Sequence, residues 1–169
     1  MTVRVYLPAT LSALRELLDT GVLGDPPLPG YAVTPALTEW YAEGDQEELE
    51  YAALALAARA SVRLLDRLLV EDESAPPRRV VVVAEVPRAD PVPDVDRAAV
   101  RVPDAVPLRQ VQAVHVDGPA AEADVRGAAE SVVAADLGSE DAVFALEQAD
   151  GHELQWYATQ EIGALLELG

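Results

Sequence analysis

The chain has 169 residues, 50% hydrophobic and 25% charged, which suits a single globular domain over 1–169 that needs no disulfide or structural metal to stand alone. Cysteine, lysine and asparagine are absent, which excludes thiol nucleophiles, thiolate zinc, iron–sulfur ligation, Schiff-base catalysis and a P-loop lysine. A formal net charge of −18 repels polyanions and anionic bilayers, so neither nucleic acid nor a membrane is expected as a partner.

Taken along the chain, Val3, Val5 and Leu7 alternate with Arg4 and Tyr6 as in a strand that Pro8 closes. Thr10 is placed to cap a helix with Leu11, Leu14 and Leu18 on its apolar face, and Gly21 to end it. Residues 24–30 read as a loop, and Pro35 opens a helical turn to Tyr41. The strongest element is a long helix from Asp45 to about Val70. Its stripe Leu49, Ala53, Leu56, Ala60 and Leu64, widened by Leu54, Ala58, Leu65 and Leu69, predicts a largely buried helix. Arg79 to Val86 is a β-branched run expected at the sheet centre, covered on both faces.

Pro87, Pro91 and Pro93 with Asp90, Asp94 and Asp96 then predict an extended loop. Strand alternation returns at Ala98 to Val102 and at Val111 to Val116. A helix follows from Asp117-Gly118-Pro119 to about Ala135, and Ser139 caps another that Gly151 stops. Glu153 to Tyr157 reads as extended, and Thr159 as the cap of a last helix. The interleaving predicts an α/β domain (α+β being the variant), with a small mixed sheet and helices packed on it.

No apolar h-region opens the chain, and its longest purely apolar stretch, residues 52–58, falls far short of the ~18 needed to span a bilayer. A cytoplasmic location is the expectation. The 12 basic side chains are all Arg, a bias that a GC-rich genome writes. Charge is uneven: residues 1–58 hold 2 Arg and 9 acids, residues 59–109 hold 9 and 9, and residues 110–169 hold 1 and 12. Arg59, Arg63 and Arg67 recur every four residues on the long helix, as a solvated edge or as a ladder that pairs with acidic helix ends or grips a ligand. Glu43, Glu47 and Glu50, at i, i+4 and i+7, would line one acidic stripe at the start of a helix with Glu39 one turn before them, a pattern that suggests a phosphate mimic, although acids also favour helix N-termini.

Imidazole chemistry is limited to His115 and His152. His115 stands two residues before Asp117, on one face of a continuing strand, and so could be a general base oriented by a carboxylate. His152-Glu153 lacks the second His of a zinc-protease motif, Asp90, Asp94 and Asp96 lack the pattern of a calcium loop, and no nucleophile elbow or dinucleotide turn occurs. No metal and no cofactor is expected. Trp40-Tyr41-Ala42 and Trp156-Tyr157-Ala158 repeat a triplet, which suggests either recognition residues or a duplicated half-domain.

Val5-Tyr6-Leu7-Pro8-Ala9-Thr10, the run from Trp40 to Asp45 into Glu47-Glu48-Leu49-Glu50-Tyr51-Ala52, Val114-His115-Val116-Asp117 and Trp156-Tyr157-Ala158 span almost the whole chain. On these stretches it resembles a family of small, acidic actinobacterial proteins of unknown function. The resemblance implies a bacterial, cytoplasmic setting and one domain, and it transfers no activity and no catalytic residue. The expected function is a non-enzymatic interaction or regulatory module. It would meet a protein partner or another copy of itself through Trp40, Tyr41, Trp156 and Tyr157, with Arg59, Arg63 and Arg67 as further binding candidates. The alternatives are a small-molecule enzyme using His115 and Asp117, and an acidic inhibitor that imitates DNA.

Overall fold

In the computed structural model, which describes residues 1–168, the chain runs β1 (Val3–Ala9), α1 (Leu11–Thr20), β2 (Val22–Leu23), β3 (Leu28–Tyr31), α2 (Pro35–Trp40), α3 (Gln46–Glu71), β4 (Val80–Val86), β5 (Asp90–Pro91), β6 (Ala99–Val102), β7 (Val106–Pro107), β8 (Val111–Val116), α4 (Glu122–Asp136), α5 (Glu140–Asp150), β9 (Gln155–Ala158) and α6 (Ile162–Leu168). Helices and strands interleave in an α/β domain. Local signals set most helix ends. The side chains of Thr10, Asp45 and Ser139 accept the N–H groups of Ala13, Glu48 and Ala142, and Gly21 closes α1 at φ 81°, a conformation that glycine adopts freely. Thr159 behaves otherwise. Its hydroxyl donates to the Val111 carbonyl, and the Glu161 carboxylate instead accepts the Ala158 N–H at 2.8 Å ahead of α6.

Seven strands form one sheet in the order β5-β6-β3-β1-β4-β8-β9, and β2 pairs with β7 in a separate ribbon. Every pairing is antiparallel, where a mixed sheet was expected. Alternation and β-branching look alike in parallel and antiparallel ladders, so the sequence pattern carried no sign of strand direction. Strand β4 is interior, between β1 and β8, while β1 is the middle strand. Pro8 does not end β1: it lies opposite Val81 and the strand runs on to Ala9. Strand β3 pairs with β1 only at Tyr6 and Tyr31, so little ladder on that side misses the proline N–H. Part of the expected 24–30 loop is also strand, since Leu28, Pro29 and Gly30 pair with β6.

The two faces of the sheet are covered differently. Val5 and Leu7 of β1, Val80 and Val82 of β4 and Val114 of β8 pack with Leu14 and Leu17 of α1 and Ile162 of α6. On the opposite face, Tyr6, Val81 and Val83 meet Ala53, Ala57 and Ala58 of α3. These small side chains bring the helix axis close to the sheet. Ser61, buried in the same row, donates its hydroxyl to the Ala9 carbonyl at 2.7 Å and accepts the Val80 N–H at 3.1 Å, which ties α3 to the adjoining ends of β1 and β4. Val62, Leu65 and Leu69 face the α4–α5 hairpin. The buried line of α3 is therefore rotated from the predicted one: Leu56, Ala60 and Leu64 are only half-buried, and the expected broad apolar face is present but leaves the rest of the helix partly or fully exposed. Because α3 lies over β1, β3 and β4, the β8–β9 end of this face stays open. His115 is half-buried there and Trp156 is exposed.

Candidate functional site

The open end of the sheet and the start of α3 frame two adjoining clefts. The first, about 580 Å³, is lined by Tyr51, Arg59, Arg79, His115, His152 and Trp156 among others. Antiparallel register places Val81, His115 and Trp156 side by side across β4, β8 and β9, so the strand pleat turns the imidazole and the indole toward the same cleft. The second, about 910 Å³, is lined by Trp40, Tyr41, Asp45, Glu47, Glu48 and Tyr51, with Asp96 and Arg97 from the segment before β6. Tyr51, Ala55 and Leu56 line both, so the clefts make one continuous surface. Four aromatic rings stand out of it: Trp40 is 62% exposed, Tyr41 40%, Tyr51 62% and Trp156 61%.

The second cleft combines ring faces with carboxylates. The Arg97 guanidinium lies over the Trp40 ring, 3.6 Å from its centroid, a stacking that draws a cation to the negative face of an indole. Arg97 is held by its backbone. The buried hydroxyl of Thr34 donates to the Arg97 carbonyl, and the next carbonyl, of Ala98, accepts the Ala32 N–H at 2.9 Å. These bonds anchor the chain just after the Pro-rich segment, and within that segment, expected as an extended loop, Asp90 and Pro91 pair with β6. Four carboxylates, Asp45, Glu47, Glu48 and Asp96, line this cleft with one guanidinium, so it is negative overall.

The expected His115–Asp117 pair does not form. Asp117 lies just beyond β8 and is fully buried, and both of its carboxylate oxygens are taken by Arg79: Oδ2 accepts the backbone N–H and Nε at 2.8 Å each, and Oδ1 accepts Nη2 at 2.8 Å. The same Nη2 also donates to the His152 carbonyl at 2.8 Å, which fastens the start of the β9 segment. The strand stops at Val116, before Asp117, and this carboxylate serves the fold. Among the described residues His115 has no carboxylate partner, and burial pushes its imidazole below the usual value of 6.5. The unfolded chain therefore binds a proton that the folded chain resists, and stability held above the usual imidazole range falls as pH drops toward the depressed value. His115→Gln should remove this dependence. Urea melts at about pH 7.5 and about pH 5.5 are expected to show a smaller pH-dependent loss in the variant than in the wild type, and equal losses would contradict a buried neutral His115.

His152 lines the first cleft and meets Asp124 of α4, Nε2 to Oδ2 at 2.8 Å. Among the described residues no group of three His, Asp or Glu converges as a metal site. Tyr157 lies on the other side of β9, packs against the α1–α6 core, donates its hydroxyl to Gln155 Oε1 at 3.0 Å and takes no part in the clefts. Arg59 lines the first cleft but is tied to Asp150 at the end of α5. Arg63 makes a bidentate pair with Asp136 at the end of α4, both contacts at 2.7 Å, and with Arg67 it lines a separate cavity. The acidic row is broken too: Glu39 belongs to α2, Glu43 to the following turn, and only Glu47 and Glu50 share α3. Nor are the two aromatic triplets equivalent, since the first ends a helix and the second is an edge strand.

Sequence reasoning missed Tyr51 and Arg97. Tyr51 lies one helical turn past Glu47, off the apolar stripe, and that position was its only signal. Arg97 had none, because its partner Trp40 is 57 residues earlier in the chain. No curated protein and no solved structure matches the chain. Residues 3–166 do match a family model, and the chain belongs to that family, the family of unknown function DUF6912.

Proposed function

We propose that this protein is a non-enzymatic interaction module of a bacterial cytoplasm, and that Trp40, Tyr41, Tyr51 and Trp156 receive a basic segment of a partner protein. The observation that supports it is the set of four exposed rings around one surface whose larger cleft holds four carboxylates against one guanidinium. Exposed tryptophan and tyrosine are expensive to leave in water and are the side chains most enriched where binding energy concentrates. Arg97 on Trp40 is an internal example of the contact that a partner's arginine or lysine would make. A second copy of so acidic a chain would meet like charge at this cleft, which favours a basic partner over self-association. Arginine used to the exclusion of lysine is consistent with an actinobacterial source. The acids do not form one periodic row, so imitation of DNA gains no support from their spacing.

Binding to arrayed Arg- and Lys-rich peptides tests the proposal. Basic peptides are expected to bind in preference to acidic ones at about 50 mM NaCl and to weaken strongly at about 500 mM. Trp40→Ala and Tyr51→Ala should each weaken binding roughly tenfold or more, about 1.4 kcal/mol, while melting like the wild type. Equal binding of acidic peptides, or variants that bind unchanged, would sink the proposal.

A second reading has one observation in its favour: the two histidines of the chain line the same cleft. It makes His115, kept neutral by burial, a general base toward a small molecule. Turnover of any metabolite by purified protein, lost in His115→Ala, would replace the interaction reading with this one.

A further inference from the structure

The arginine stripe of α3 is only partly accounted for by ion pairs. Arg59 and Arg63 each hold an aspartate, whereas among the described residues no carboxylate lies within ion-pair distance of Arg67. Arg67 lines a cavity of about 610 Å³ beyond the end of β1, between the first turn of α1, the β2–β3 turn and the second half of α3. That volume falls within the ~300–1,000 Å³ common for small-molecule sites. Its wall is largely aliphatic, with Leu7, Leu23, Leu28, Leu64 and Leu68 from four different elements. Leu64 was expected in the buried stripe; it is half-buried because this space lies beside it.

We propose that this cavity binds a free single-chain carboxylate, with the aliphatic tail among the leucines and the head on the Arg67 guanidinium. The charge around the opening selects the head group. The first turn of α1 carries no acid and turns its positive end toward the space, through Thr10 and Ser12. Arg63 adds a second guanidinium, already shared with Asp136. Glu71 follows Arg67 by one helical turn and also lines the opening, so a monoanion is tolerated better than a dianionic phosphate. The tail needs no polar partner, because the wall offers aliphatic surface. This site is separate from the aromatic clefts and uses none of their residues.

Decanoate is the probe, titrated into the full-length protein by calorimetry, with decanol as the uncharged control. Saturable one-to-one binding is expected, with decanol at least tenfold weaker. Arg67→Gln, at an exposed position, should weaken decanoate roughly tenfold through loss of the charge-assisted contact. Ser12→Glu puts a carboxylate at the opening; an acid in the first turn of a helix keeps the fold intact, so its expected loss of binding is not a loss of structure. No saturable binding of decanoate, equal binding of decanol, or wild-type affinity in both variants would overturn the proposal. So would sedimentation with phosphatidylglycerol vesicles in place of binding to the free carboxylate.

Discussion

Asp117→Ala is expected to destabilise the protein by about 3–5 kcal/mol, a large part of the ~5–15 kcal/mol that holds a domain of this kind together. The cause is Arg79. Its side chain is 2% exposed, and without Asp117 a guanidinium would stay buried with, among the described residues, only the His152 carbonyl as acceptor. The attraction between the two ions need not itself be large, because both were stripped of water to form the pair; the damage comes from leaving one of them alone. The double variant Arg79→Met/Asp117→Leu should therefore recover much of the stability that Asp117→Ala loses. Urea melts of the single and double variants decide the matter. A single variant as stable as the wild type would show that the pair is not buried as described, and would return Asp117 to the candidates for chemistry beside His115.

Val82→Asp should abolish soluble, folded protein. Val82 is fully buried in interior strand β4, opposite Leu7 on β1 and Val114 on β8, and faces the core shared with α1 and α6. A carboxylate there has neither water nor a partner, and the sheet cannot rotate the residue outward without turning its neighbours the wrong way. Val82→Ala, which only removes two methyl groups, should fold at a cost of about 2 kcal/mol. Gln112→Asp, on an exposed position of β8, should stay within about 0.5 kcal/mol of the wild type. Yield in the soluble fraction and thermal melts separate the three. A wild-type melt for Val82→Asp would contradict the strand pairing.

Patterns that repeat within a few residues were readable from the sequence. The β-branched run at β4, the alternation in β1 and β8, the caps at Thr10 and Ser139, the start of α3 near Asp45 and the glycine after α1 each state their local structure in adjacent letters. Contacts between distant residues were not readable. His115 and Asp117 are two residues apart in the chain, yet the outcome turned on Arg79, which stands just before β4 and takes both oxygens of Asp117. Trp156 and Tyr157 are neighbours in sequence, but on a strand neighbours point to opposite faces, so only Trp156 joins the candidate surface. The long helix showed its amphipathic character but not its rotation, because an alanine-rich stripe has two acceptable settings until the sheet selects the side with the smallest groups. Arg63 and Arg67 became distinguishable only when Asp136 met the first and left the second at the opening of a cavity.

The proposed role is tested most directly by the fluorescence of Trp40 alone. In Trp156→Phe, Trp40 is the only indole, already stacked under Arg97. Titration with a short Arg- and Lys-rich peptide is expected to change its emission saturably, with the change suppressed at about 500 mM NaCl and absent with an acidic peptide of equal length. Emission that stays constant, or that responds equally to both peptides, would contradict the assignment of this surface to a basic partner.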